Sequence, residues 1–241
     1  MKLMLCLCLL SFFGLTVADE VDCESDLDPA DDPRNIERPC PNFDLDCIRK
    51  YFSSNSKCQI TLGPVPDPLL LNNYRLDIAN SNITAQFNNV SVRGLNGNIV
   101  EFYINRKTEK LVLATEVKSL AFDSPQVVFK YNRKGKEPIV RGDCVDCEYG
   151  AATFTAVFPS ICDLDLSKAE VFTYVEDSNP RYKIGSRLFS ISDSVALNEF
   201  LKFITSMSEN IQEKFISQGR IFMANYIEYN ICDFGLNLAC K

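Results

Sequence analysis

Residues 194–226 read SVALNEFLKFITSMSENIQEKFISQGRIFMANY, and their periodicity decides the fold. Leu197, Phe200, Leu201, Ile204, Met207, Ile211, Phe215, Phe222, Met223 and Tyr226 fall on one helical stripe, opposed by Glu199, Lys202, Ser208, Gln212 and Lys214. The spacing predicts a helix of about thirty residues, weakened locally at Gly219 and roughly 45–50 Å long. A stripe of that length needs an equally long apolar partner. A coiled-coil dimer is one solution, but the pattern drifts off a strict heptad and lacks regular charged flanks. A curved sheet wrapped round the helix is the other, and the preceding sequence offers one.

From Leu69 to about Ile191 the apolar period is two. Tyr74, Leu76 and Ile78 alternate with Arg75 and Asp77, while Ile83, Ala85 and Phe87 alternate with polar neighbours. Further strand-like runs cover 99–105, 110–122, 126–131, 151–158 and 170–176, with turn signals at Asn96-Gly97 and Lys134-Gly135. Strands in succession without intervening helices make an antiparallel sheet. The fold class is therefore α+β, a long C-terminal α-helix wrapped by a highly curved antiparallel β-sheet. Residues 151–158 are small or apolar on both faces, which suits a sheet covered on both sides or curled round a lumen.

Upstream, Asp44 to Phe52 opens with acidic residues and then sets Leu45, Ile48 and Phe52 at helical spacing. Cys40 and Cys47 flank the entry to this helix, and a disulfide between them closes one turn, stabilising by about 2.5 kcal/mol on the chain-entropy estimate. Pro64, Pro66 and Pro68 then forbid any helical continuation. Residues 19–37 form an acidic leader with eight acids between Asp19 and Asp32, expected to be a mobile, solvated arm. Residues 1–18 read as a secretory signal peptide: Lys2, an apolar run from Leu3 to Val17, and a Thr16-Val17-Ala18 exit. That run is shorter than the roughly 20 residues that span a bilayer, so a retained anchor is the weaker reading. Residues 38–241 then form a single exported domain.

The chain carries a formal net charge of −7 and no histidine. The negative charge argues against nucleic acid and anionic membranes as partners, because nothing would neutralise their phosphates. The missing histidine removes Ser-His-Asp and Cys-His catalysis and histidine zinc sites. With no Gly-x-Ser-x-Gly elbow either, a hydrolase is the weakest function class, and no enzyme activity, metal or cofactor is expected.

Cys6 and Cys8 leave with the signal, and nine cysteines remain. Nine is odd, so one thiol at least stays free or pairs with another molecule. Cys144-Val145-Asp146-Cys147 lacks the second C-x-x-C of an all-cysteine zinc site and is read as structural, closing its own loop or tying two other strands. Cys232 and Cys240 are placed to staple the tail, with Cys23 or Cys162 as alternative partners. Asn82-Ile83-Thr84 and Asn89-Val90-Ser91 are N-glycosylation sequons.

Five segments in order carry a family resemblance. They are Cys40 to Ile48 with its paired cysteines; the Gly63-Pro64-Val65-Pro66-Asp67-Pro68-Leu69 turn; Asn88-Asn89-Val90-Ser91-Val92-Arg93-Gly94-Leu95; Gly185-Ser186-Arg187-Leu188-Phe189; and Leu197-Asn198-Glu199-Phe200-Leu201. Over residues 38–231 this order resembles the takeout and haemolymph juvenile-hormone-binding proteins of insects. The resemblance implies the tubular lipid-binding architecture with an internal apolar tunnel. It implies a carrier of a small hydrophobic ligand, a juvenile-hormone-like terpenoid or fatty-acid-like lipid, and no catalysis. It also puts Cys162 where hormone-binding members bridge to the long helix; here residues 197–226 hold no cysteine.

The tunnel lining expected on this basis is Phe200, Ile204, Met207, Ile211 and Phe215 from the helix. Phe102, Phe129, Tyr131, Phe154, Phe172 and Tyr174 come from the facing strands. The two tyrosines are suited to hydrogen-bond an ester or carboxyl group. Burying roughly 300–400 Å² of ligand at about 25 cal/mol per Å² gives roughly 8–10 kcal/mol gross, enough for micromolar binding after association costs. The rival reading is a secreted, disulfide-rich protein-interaction module with a packed interior, joined to a partner through its odd thiol or acidic leader.

Overall fold

The computed structural model describes residues 32–72, 74–77, 82–176, 181–205 and 207–236, with side chains left out at 74–77 and 207–218. The expected signal peptide, most of the expected acidic leader, Cys23 and Cys240 lie outside the described residues, as do the side chains of Met207, Ile211 and Phe215.

Two short strands and a helix open the chain. Pro33–Asn35 form a 3-10 turn capped by the Asp32 carboxylate, and β1 (Ile36–Glu37) pairs with Asn105 and Ile104. The folded body thus takes in Ile36 and Glu37, which the sequence assigns to the leader. The helix α1 (Leu45–Ser54) is capped by Asp44, whose side chain accepts a 2.7 Å hydrogen bond from the Cys47 amide. It buries Ile48 and Phe52, as its spacing predicts. β2 (Gln59–Ile60) follows.

Ten strands come next: β3 (Leu69–Leu71), β4 (Tyr74–Asp77), β5 (Ile83–Asn88), β6 (Val90–Arg93), β7 (Asn98–Asn105), β8 (Lys110–Val117), β9 (Leu120–Arg133), β10 (Lys136–Tyr149), β11 (Ala152–Phe158) and β12 (Glu170–Val175). β13 (Arg181–Ile184) precedes α2 (Ser194–Thr205), α3 (Met207–Asn230) and β14 (Cys232–Asp233). Every pairing among the described residues is antiparallel. A five-stranded sheet runs β1-β7-β8-β11-β12; a seven-stranded sheet runs β13-β10-β9-β5-β4, with β6 also on β9 and β3 on β6; β2 and β14 form a separate pair.

The sequence predicts one helix over 197–226. The described helical residues there are Ser194–Thr205 (α2) and Met207–Asn230 (α3), either side of residue 206, and they contribute to different cores. The first core joins α1, the inner face of the five-stranded sheet and the C-terminal half of α3, through Phe52, Phe102, Phe154, Phe158, Phe222, Met223 and Ile227. The second joins the far half of the seven-stranded sheet to α2 through Ile83, Val127, Phe129, Tyr131, Leu188, Phe200 and Phe203. Phe87 and Tyr182 pack against both.

β9 passes from one core to the other by a change of face. Leu120 is buried among its even positions, whereas Val127, Phe129 and Tyr131 are buried among its odd ones. Pro125 and Gln126 lie across from Cys144, at a register shift between Ser124↔Val145 and Val127↔Asp143. A bulge of this kind inserts a residue and reverses the alternation, and it tolerates a proline that a regular ladder position would not. Ser124, almost fully buried, donates to the Asn88 carbonyl at 3.2 Å and fastens the bulge to β5.

Candidate functional site

The aromatic positions that the sequence nominates for a tunnel divide three ways. Phe102, Phe129, Phe154 and Phe200 are buried to 2% exposure or less, and Tyr131 to 7%. Phe102 and Phe154 belong to the first core, Phe129, Tyr131 and Phe200 to the second, and Ile204 packs at the second core's edge. They are not one lining. Their rings contact neighbouring side chains: Phe129 meets Phe200 with centroids 6.3 Å apart, Tyr131 meets Phe200 at 6.1 Å, Phe154 meets Phe222 at 5.8 Å, and Phe102 meets Tyr51 at 5.6 Å. These are the spacings of packed, tilted or edge-to-face pairs.

Phe172 and Tyr174 require a correction. They are 56% and 68% exposed, because β12 turns Val171, Thr173 and Val175 toward α3 and the other three residues outward. Period-two spacing fixes which residues share a face, but not which face is covered. α3 comes so close to this strand that a Cβ on Gly219 would stand 1.7 Å from Thr173 Oγ1. The glycine is thus the contact point between helix and sheet, where the sequence suggests only a weak spot.

The cysteines sort differently from the expectation as well. Cys40–Cys47 is formed. Cys232, expected to staple the tail to Cys240 or to reach Cys23 or Cys162, is bonded to Cys58. Cys144 and Cys147 form no bond with each other or with other strands: three apart on β10, they point to opposite faces, Cys144 exposed and Cys147 buried. Cys162 is a third free thiol and is exposed. Burial pushes the Cys147 thiol up to about 12, so it stays protonated and unreactive at neutral pH. It sits beside Tyr149 and Tyr182, whose hydroxyls are 3.4 Å apart and whose ionisation burial also opposes.

Two surface hollows flank this strand. One of about 250 Å³ is lined by Arg93, Ala121, Asp146, Glu148, Arg181 and Lys183 among others. The second, about 530 Å³, includes Pro125, Asp143, Cys144 and Arg187. In the second, Asp143 is committed to structure: its carboxylate accepts from the Leu188 amide at 2.8 Å and the Cys144 amide at 2.9 Å. Among the described residues no cluster of three His, Cys, Asp or Glu side chains is placed to hold a metal ion, and no helix is long and apolar enough to cross a membrane. Both sequon asparagines, Asn82 and Asn89, are exposed.

The feature that sequence reasoning missed is the outer face of the five-stranded sheet. Register sets Tyr174 beside Thr153 and Glu116, Phe172 beside Thr155 and Ala114, and Glu170 beside Val157, Val112 and Tyr103. Among the described residues α1 and α3 pack on the inner face, and Phe172 and Tyr174 on the other are exposed.

The sequence family described as Fibroin P25 matches residues 36–236, from the first residue of β1 to beyond β14. The chain belongs to that family. It is 24% identical over 238 residues to the fibrohexamerin of Galleria mellonella, covering 92% of this chain and 96% of the relative. The solved structure of Takeout 1 from Epiphyas postvittana is also similar, with a TM-score of 0.44 and 13% identity over 68% of this chain and 78% of that one. The sequence motifs pointed toward the takeout proteins; the family that the match establishes is Fibroin P25.

Proposed function

We propose that this chain is a secreted assembly partner of fibroin, a non-catalytic interaction module glycosylated at Asn82 and Asn89. The observation that carries this reading is the packing of Phe102, Phe129, Phe154 and Phe200 against neighbouring rings in two separate cores. Among the described residues these rings meet other side chains of the protein, which favours work done at the surface, and the surface offers exposed aromatics and exposed thiols. The choice of partner follows the family, whose description carries the fibroin name. Co-expression with fibroin chains in secreting cells tests this. The expected outcome is co-secretion and co-elution of the two; secretion of this chain alone, with no effect on fibroin, overturns the reading.

Carriage of a fatty-acid-like or terpenoid ligand is the second reading. The sequence favours it, since Met207, Ile211 and Phe215 continue the apolar helical period from Phe200 and Ile204 toward Phe222. Native mass spectrometry with organic extraction separates the two. A stoichiometric lipid would support carriage, whereas an empty protein that also fails to displace a fluorescent fatty acid would leave the assembly reading alone.

A further inference from the structure

We propose that Asp123 and Asp146 form an acid-closed latch: they share one proton between β9 and β10, and its release loosens the bulge where β9 passes from one core to the other. The two are direct cross-strand partners. Asp146 is exposed and Asp123 half-buried, while their chain neighbours Cys147 and Ser124 are buried, so both carboxyls stand on the outer face of the seven-stranded sheet. Residues directly opposite on antiparallel strands hold their Cβ atoms about 4.5–5.5 Å apart, and like charges there repel. Yet the two side chains hydrogen-bond each other. An ionised carboxylate only accepts, so one of them carries the proton. Two carboxyls holding one proton between them escape the repulsion and keep the bond.

Neighbouring strands set the balance. Register makes one row of Ser91, Asp123, Asp146 and Lys183, from β6, β9, β10 and β13 in turn. The next row on the same face is Arg93, Ala121, Glu148 and Arg181. Lys183 and Arg93 favour the ionised pair, and Glu148, itself faced by Arg181, favours the proton. The Asp123 carboxyl is held above its ordinary 3.8, first by the hydrogen bond with Asp146, then by burial and the Asp146 charge, against the lowering effect of Arg93. The folded protein therefore keeps a proton that the unfolded chain releases near 3.8, and the stabilisation is lost as pH rises through the raised value. Position gives this proton leverage. Only Ser124↔Val145 separates the pair from the register shift at the bulge. A bulge disrupts the ladder locally, so repulsion between the ionised carboxylates acts where backbone pairing resists it least.

Two readouts on the full-length protein test the latch. Carbon NMR titration of the aspartate carboxyls follows the proton. Hydrogen exchange of the amides over 120–128, corrected for its intrinsic pH dependence, follows the bulge. The wild type is compared with Asp146→Asn and with Asp123→Asn, which sets an amide donor opposite Asp146 at every pH. The expected result is an Asp123 midpoint above the ordinary value in the wild type, shifted down in Asp146→Asn. Protection of the bulge should fall between pH 4 and pH 7 in the wild type and stay level in Asp123→Asn. An ordinary midpoint for wild-type Asp123, or a raised one that Asp146→Asn leaves in place, overturns the shared proton. Wild-type protection that does not change with pH overturns the latch. So does a pH-dependent loss that Asp123→Asn retains, because it then belongs to another group such as Glu228.

Discussion

At the scale of single residues, a few contacts carry tests that the rest of the molecule does not blur. Gly219→Ala places a methyl 1.7 Å from Thr173 Oγ1 and 3.3 Å from the Phe154 ring, so helix and strand must separate. The expected loss is about 1–3 kcal/mol, the range for overpacking a closed contact, read as a lowered urea midpoint. Adding Thr173→Ala removes the obstruction and should recover part of that loss. The thiols give a chemical readout. N-ethylmaleimide on the native protein should modify the Cys144 and Cys162 peptides and spare Cys147, which reacts only after unfolding. Equal labelling of all three would contradict the facing of β10. What the sequence made legible at this scale was chemistry: the Cys40–Cys47 pair, the Asp44 and Ile48–Phe52 helix, the exposed sequons. It hid orientation, since nothing in Val171 to Val175 says which alternate set meets α3.

Among the elements, the C-terminal segment from α3 to β14 contains the clearest pH-sensitive contact. The Glu228 carboxylate accepts a 2.9 Å hydrogen bond from the Leu236 amide. Burial, the largest influence, moves its pKa up to about 7 from an ordinary 4.5, against the lowering effect of that hydrogen bond. The folded state therefore holds a proton that the unfolded state has released, so this site loses stability as pH rises from about 4.5 through 7. Glu228→Gln keeps the acceptor and removes the charge. It should raise the melting temperature at pH 8 by an amount equivalent to about 1 kcal/mol or less, after solvent screening, and change little at pH 4. A gain as large at pH 4 as at pH 8 would exclude the carboxylate as its source. Element boundaries were the least legible part of the sequence. Lys110 to Phe122 reads as one run, but the chain turns at Lys118 and Ser119 from one sheet into the other. Pro125 reads as a break, yet β9 continues through it by bulging. Asn96-Gly97 reads as a hairpin turn; instead Asn96 hydrogen-bonds both backbone groups of Val65, at 2.8 Å each, and anchors the proline-rich segment. In each case a tertiary contact decides what the local pattern leaves open.

For the molecule as a whole, the antiparallel sheet and helical stripe were legible, and the division into two cores was not. Apolar periodicity runs through Leu197 to Tyr226 without marking where one core hands over to the next. The Cys58–Cys232 bond joins positions 174 residues apart and so ties β2 to the strand after α3. Replacing both cysteines with alanine should cost about 5 kcal/mol on the chain-entropy estimate, seen as a loss of secreted, folded protein and a lower urea midpoint. An unchanged midpoint would show that the unfolded chain gains no freedom from the cut. The same bond has a mechanical meaning. Tension applied at the two ends loads β1 and α1 first, since both precede Cys58; past them it enters through Cys58 and leaves through Cys232, so residues 59–231 sit inside a covalent bypass. Roughly 600 Å of contour length, at about 3.5 Å per residue, stays locked until a reductant opens the clasp. Pulled from its ends, the protein would yield at β1 and α1, while the strands from β3 to β13 hold their places until the clasp is reduced.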